Sequence, residues 1–119
     1  MYVINVRDAQ ELRTPHGKSV RWLVTKELGA PNFEMRYFEI PKSDECSEGA
    51  HPWEHEVFII RGEGIVRSGG EERRVAPGDA IFIPPDEVHG FRGIGDEPLG
   101  LICVIPAGCE DHVKPGATG

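Results

Sequence analysis

Long apolar runs are absent from this sequence: none approaches the roughly 20 residues that a helix needs to span a bilayer. The opening Met-Tyr-Val-Ile-Asn-Val-Arg-Asp has no basic stretch followed by a long apolar segment, so no secretory signal is read there, and the expected compartment is the cytoplasm. Basic charge is scarce. Thirteen Lys and Arg against 20 Asp and Glu leave a net charge of −7, which argues against a nucleic-acid partner, since that role calls for a basic face. The one basic pair, Arg73-Arg74, adjoins Glu71-Glu72 and reads as a solvated hairpin. Cysteine is sparse and odd in number: Cys46, Cys103 and Cys109 form no Cys-x-x-Cys unit, which excludes both a disulfide framework and a thiolate zinc site. A helical period is also missing. Only Asp8–Arg13 could form a short helix.

What is present is a chain of 119 residues, 39% hydrophobic and 28% charged, sized for a single domain that builds one core without disulfides. Short β-type runs recur at Tyr2–Val6, Val20–Leu28, Phe33–Ile40, Glu56–Ile60, Gly64–Arg67, Arg73–Val75, Ala80–Ile83, Val88–Arg92 and Leu99–Ile105. Turn chemistry separates them. Gly69-Gly70 suits a tight hairpin that needs positive φ at its centre, and Pro77-Gly78 suits a type II turn. Many short strands with Gly- and Pro-rich turns predict an all-β sandwich or barrel, its core spanning about residues 19–106. From residue 107 to 119 branched apolar residues nearly vanish, so the composition predicts a fraying tail.

Three of the five histidines carry the chemistry. His51 and His55 lie in Gly-Ala-His51-Pro-Trp-Glu-His55, and His89 follows Pro84-Pro85-Asp86-Glu-Val. The spacing of His51 and His55 matches a helical ligand pair, but Pro52 biases His51 toward extended backbone. The run Val57-Phe58-Ile59-Ile60 reads as a buried strand. His51 therefore ends one strand, Pro52–Glu54 turns a corner, and His55 opens the next, so a barrel can aim both rings at one point. Neutral imidazoles are common metal ligands, and a trio suits Zn, Fe, Cu or Ni better than Mg or Ca.

These residues resemble the cupin superfamily of small double-stranded β-helix (jelly-roll) barrels. The stretches His51–Gly64 and Pro77–Phe91 are similar to its two motifs, Gly-x5-His-x-His-x3,4-Glu-x6-Gly and Gly-x5-Pro-x-Gly-x2-His-x3-Asn, in order and with a family-like gap. His-Pro-Trp-Glu-His resembles the four-His, manganese-binding subgroup, and the likeness runs from about Pro31 to Gly108. The resemblance implies that His51, His55 and His89 are metal ligands. It also places the family's first His on Gly49, which has no side chain, the Pro-x-Gly on Pro84-Pro85-Asp86, and the terminal Asn on Gly93.

Three readings of the vacated ligand position stay open. In the first, water or substrate occupies it. In the second, Glu48 replaces the imidazole, with a bulge at Gly49 re-aiming it inward. In the third, metal binding is lost, leaving a barrel for an organic ligand. Three neutral ligands leave the full 2+ charge uncompensated, which favours an anionic or chelating substrate and keeps coordination positions open. Ligand type does not choose among Mn, Fe, Cu, Ni and Zn.

Resemblance places Cys103 inside the barrel near the metal, whereas its apolar run also fits a small buried hydrophobe. Arg36, Tyr37 and Phe91 are further pocket candidates. Trp53, Phe58 and Phe82 fit a pocket lining or core filling equally. Glu54 or Glu56 could orient an imidazole. His16 and His112 read as inert. The leading functional expectation is a small metal-dependent enzyme, an oxygenase among its candidate classes, acting on an anionic small molecule. The alternative is a non-catalytic module that binds or senses a metabolite. Resemblance further implies a homodimer, with strand exchange near Tyr2–Val6.

Overall fold

The computed structural model describes residues 1–110; His112 and the rest of the expected tail from 111 lie outside the described residues. Ten strands form two antiparallel sheets. They are β1 (Glu11–Arg13), β2 (Ser19–Val24), β3 (Phe33–Ile40), β4 (Ser47–Gly49), β5 (His55–Arg61), β6 (Gly64–Ser68), β7 (Glu71–Val75), β8 (Ala80–Ile83), β9 (His89–Gly93) and β10 (Leu99–Pro106). One sheet has the order β1-β2-β3-β10-β5-β8 and the other β4-β9-β6-β7. This is the all-β layering that the strand pattern predicts, in the jelly-roll form that the family resemblance implies. No helix among the described residues is long and apolar enough to cross a membrane.

The period of two sets the core. Along β5, His55, Val57 and Ile59 are buried while Glu56, Phe58 and Ile60 are exposed; along β10, Leu99, Leu101, Cys103 and Ile105 are buried. These inward residues meet Val20, Phe38, Ile40, Val66, Val75, Ile83 and Phe91 in one hydrophobic cluster between the sheets. Turn chemistry fixes the register. Gly69 and Gly70 take φ of 58° and 80° between β6 and β7, as a primed hairpin requires. Where the family pattern has a glycine, Asp86 holds φ of 67° and is the one non-glycine residue with positive φ among those described; Asp tolerates this region better than most residues.

The N-terminal expectations differ from the fold. Tyr2–Val6 is not a strand. Val6–Asp8 is a 3-10 turn, and Glu11–Arg13, inside the expected helix, is β1 against β2. Residues 107–110, expected to fray, are bound to the barrel. The buried Glu34 carboxylate accepts from Gly108 N at 3.0 Å and Lys26 N at 2.7 Å, and Ala107 N donates to Asn32 O. Polar anchoring thus does what apolar burial cannot do in this stretch.

Candidate metal centre

Three backbone features converge on one point. His51 lies in the corner between β4 and β5, His55 opens β5, and His89 opens β9. The corner is held by Asp86 N donating to His51 O at 2.8 Å. Ring centroids are 4.6 Å apart for His51 and His55, 4.9 Å for His51 and His89, and 5.0 Å for His55 and His89. His55 and His89 are buried and His51 half-buried. One nitrogen from each ring lies within 4.8 Å of the others, so the cluster could hold a metal ion.

The other ring nitrogens are engaged away from that point. His51 Nδ1 lies 2.9 Å from Trp53 O, and His89 Nδ1 lies 2.9 Å from Glu87 O. A carbonyl only accepts, so both rings carry their proton on Nδ1 and turn Nε2 to the centre. His55 Nδ1 lies 3.0 Å from Cys103 Sγ, and its Nε2 is 2.8 Å from His51 Nε2. Two imidazole nitrogens that close repel unless a proton or a cation lies between them. The donor set therefore fits a divalent transition metal. Trp53 stacks on His51 with centroids 4.3 Å apart and planes 7° from parallel.

Behind His55 runs a buried charged chain. Arg36 Nη2 donates to Cys103 Sγ at 3.3 Å, Arg36 Nη1 pairs with Glu110 Oε2 at 2.9 Å, and the guanidinium lies over the rings of Trp22 and Phe38. Burial pushes the Glu110 carboxyl up, opposed by Arg36 and by the nearby Trp53 indole. Burial likewise pushes the Cys103 thiol up, again opposed by Arg36. Glu110 thus reaches the cluster through Arg36 and Cys103 to His55.

Several candidate residues fall elsewhere. Glu48 is exposed and ion-paired to Arg67 at 3.0 Å. The β4–β9 register runs Ser47↔Phe91, Glu48↔Gly90, Gly49↔His89 without a shift, so there is no bulge to turn Glu48 inward. Gly49 instead faces His89 directly across the ladder, and directly paired residues share a face. The missing ligand therefore leaves its space beside the cluster. Tyr37 points to the opposite face from Arg36, donating to Glu39 Oε2 at 3.0 Å; adjacent strand residues do not share a face. Phe58 and Phe82 are exposed on the outer side of the six-stranded sheet. Glu56 also faces out, where Glu54 shares a hydrogen bond with it; burial and then Glu54 raise its carboxyl to about 7. Phe91 and Cys103 do line the barrel interior with Arg36 and His55.

Sequence reasoning missed Lys18, Trp22 and Glu110. Alternation from Val20 would have placed Lys18 and Trp22 inward; nothing in the composition marked Glu110. A depression of about 530 Å³ between β7 and β8 is larger than the interior space, but none of the three histidines lines it, so the donor geometry rather than cavity size locates the site.

Comparison with known proteins agrees with this fold. The model of the family described as Cupin domain matches residues 36–105. A curated relative, 1-methylthio-D-xylulose 5-phosphate methylsulfurylase of Rhodospirillum rubrum, is 36% identical over 74 residues, covering 62% of this chain and 47% of that protein. The chain thus spans about half of that relative's length. The polyketide cyclase RemF of Streptomyces resistomycificus superposes with a TM-score of 0.73 at 25% identity, covering 98% of this chain and 90% of that one. An RmlC-like cupin from Shewanella frigidimarina NCIMB 400 gives 0.79 at 19% identity, covering 95% and 96%, and shares the fold.

Proposed function

Since the chain belongs to the Cupin domain family, we propose that its histidine cluster binds a divalent transition metal and that the protein is a metal-dependent enzyme for a small anionic or chelating substrate. One observation carries this reading: three imidazoles, two of them with Nδ1 tied to carbonyls, converge with His51 and His55 Nε2 at 2.8 Å. A bound ion would supply Lewis acidity, or redox capacity in the case of Mn, Fe or Cu, at positions the protein leaves open. Mn is the ion that the resemblance to the four-His subgroup implies, with Fe, Cu, Ni and Zn as the other candidates.

The chain's own residues hold and shield the site. Trp53 and Glu87 carbonyls orient His51 and His89, Cys103 and Arg36 brace His55, and Val57, Phe91 and Leu101 keep the surroundings apolar. The methylsulfurylase and cyclase named among the relatives support an enzyme reading. An oxygenase is the reaction class we favour for Mn, Fe or Cu, and oxygen uptake with candidate anions checks it. We also infer a homodimer, supported by Phe33, Met35, Phe58, Ile60 and Phe82 exposed on a single sheet; light scattering should give twice the monomer mass.

The deciding experiment is elemental mass spectrometry of untagged protein beside His89→Ala. Near-stoichiometric metal that disappears in the variant supports the site and names the ion. Protein that remains metal-free after incubation with Mn, Fe, Cu, Ni and Zn overturns the reading, and chelator-insensitive ligand binding without turnover would make it a non-catalytic binding or sensing module.

A further inference from the structure

Lys18 sits immediately before β2, on the inner face shared with Val20 and Trp22. Its residue is only 9% exposed. The backbone there is fully engaged: Lys18 N donates to Thr14 Oγ1 at 3.1 Å and Lys18 O accepts from Thr14 N at 2.9 Å. The ammonium, by contrast, forms no hydrogen bond or ion pair among the described residues. Its stem is buried while the ammonium is not sealed from solvent at the cleft, so the charge is held where an anion can reach it.

Two spaces meet at this side chain. An interior cavity of about 20 Å³ is lined by Lys18, Arg36, His55, Phe91 and Cys103, among others. An open cleft of about 290 Å³ is lined by His16, Lys18, Ser43, Glu45, Cys46 and Ser47, with Ile40 and Phe91 shared with the interior. Glu45, the one carboxylate among the cleft's lining residues, is exposed and forms no ion pair with Lys18. Arg36, the second cation of the interior, is already neutralised by Glu110. The uncompensated charge of this cavity is therefore that of Lys18. Burial and the nearby Arg36 push its ammonium below the ordinary value, with Cys46 opposing.

We propose that Lys18 anchors a carboxylate of the ligand at the junction of cleft and barrel, with the rest of the molecule lying in the cleft. The interior space admits about one water-sized group, which one oxygen of a carboxylate fills. This rests on the reading of the barrel as a ligand-binding site, deepens it to a substrate class, and does not require a bound metal.

The test uses metal-free full-length protein titrated with sodium acetate at constant ionic strength set with chloride, followed by the amide resonances of Ser19 and Phe91. Saturable shifts are expected in the wild type, with affinity about 10- to 100-fold weaker in Lys18→Met, as for loss of a charged hydrogen bond. Lys18→Arg should retain most of the binding. Lys18→Met should melt no lower than the wild type, because the ammonium it removes has no partner. Equal acetate affinity in Lys18→Met, no saturation in the wild type, or saturation by inorganic phosphate and not acetate overturns the proposal. Metal content, measured separately on the same variants, should be unchanged. Acetate binding that needs Lys18 in a protein unable to take up metal would sink the metal reading alone.

Discussion

Replacing Glu110 with Gln should destabilise the barrel far more than its position beyond the last strand suggests. The Arg36 side chain is 0% exposed and that of Glu110 1%, with 2.9 Å between them. Breaking a buried pair by removing one charge leaves the other uncompensated, at about 3–5 kcal/mol. At about 2.1 cal/mol/K per residue, unfolding this chain carries an entropy of about 0.25 kcal/mol/K, so Tm should fall by about 12–20 °C. Thermal unfolding at pH 8, where the elevated Glu110 carboxyl titrates least, is the assay. The double variant Arg36→Met with Glu110→Leu should recover most of the loss, because an apolar pair removes both charges together. A fall in Tm under about 4 °C for Glu110→Gln, the size expected of an exposed pair, would refute the reasoning.

Restoring the absent family ligand with Gly49→His should tighten metal binding and reduce the open positions at the ion, since residue 49 faces His89 across the ladder; competition with a chromogenic chelator measures it. Gly90→Ala should cost about 1–3 kcal/mol by overpacking, because a Cβ there would stand 2.4 Å from Ser47 O, and denaturant titration reads that cost. Glu56, raised to about 7, binds its proton more tightly folded than unfolded. Its stabilising contribution is complete below about pH 4.5 and is lost as pH rises through about 7. Glu54→Gln should flatten that decline without abolishing it, burial remaining; melting of metal-free protein from pH 4 to 9 checks this, and added salt should shrink the difference.

How far the site could be read from sequence depended on periodicity. The corner at Pro52 separated His51 from His55 correctly, and β-branched residues after His55 marked β5. The glycine pair at 69 and 70 carried its hairpin on conformational freedom alone. The three-residue β1 holds too few residues to show an alternation and so went unseen, while the strand expected to end at His51 ends at Gly49 as β4. Arg36 and Tyr37 could not both face inward, a constraint of strand geometry that the sequence already contained. Cys103 was different: Leu99–Ile105 is apolar on both faces, and only the pairing of β10 between β3 and β5 decides its direction. Glu110 was invisible because its burial depends on Arg36, seventy-four positions earlier, and on the Glu34 carboxylate that holds Gly108.

Charge organisation ties these residues together. The chain carries a net −7, yet among the described residues its carboxylates are mostly spent outside the barrel, as in Glu48 with Arg67, Glu63 with Arg74 and Glu71 with Arg73. Inside, the Arg36–Glu110 pair is balanced, and the buried Glu34 carboxylate, held by Lys26 N and Gly108 N, matches the Lys18 ammonium in number, so the imidazole cluster has no excess charge around it before an ion binds. A divalent cation held only by imidazoles would create a positive excess there, since its ligands cancel none of its charge. Exposed charges are largely screened beyond about 8 Å at physiological salt, whereas buried ones are screened much less. The acidic exterior therefore does little to repel a small anion at the cleft, while Lys18 and a bound ion would attract it. Had Glu48 turned inward as a ligand, it would have offset half the charge of a divalent ion and weakened that preference; its outward pairing with Arg67 preserves it.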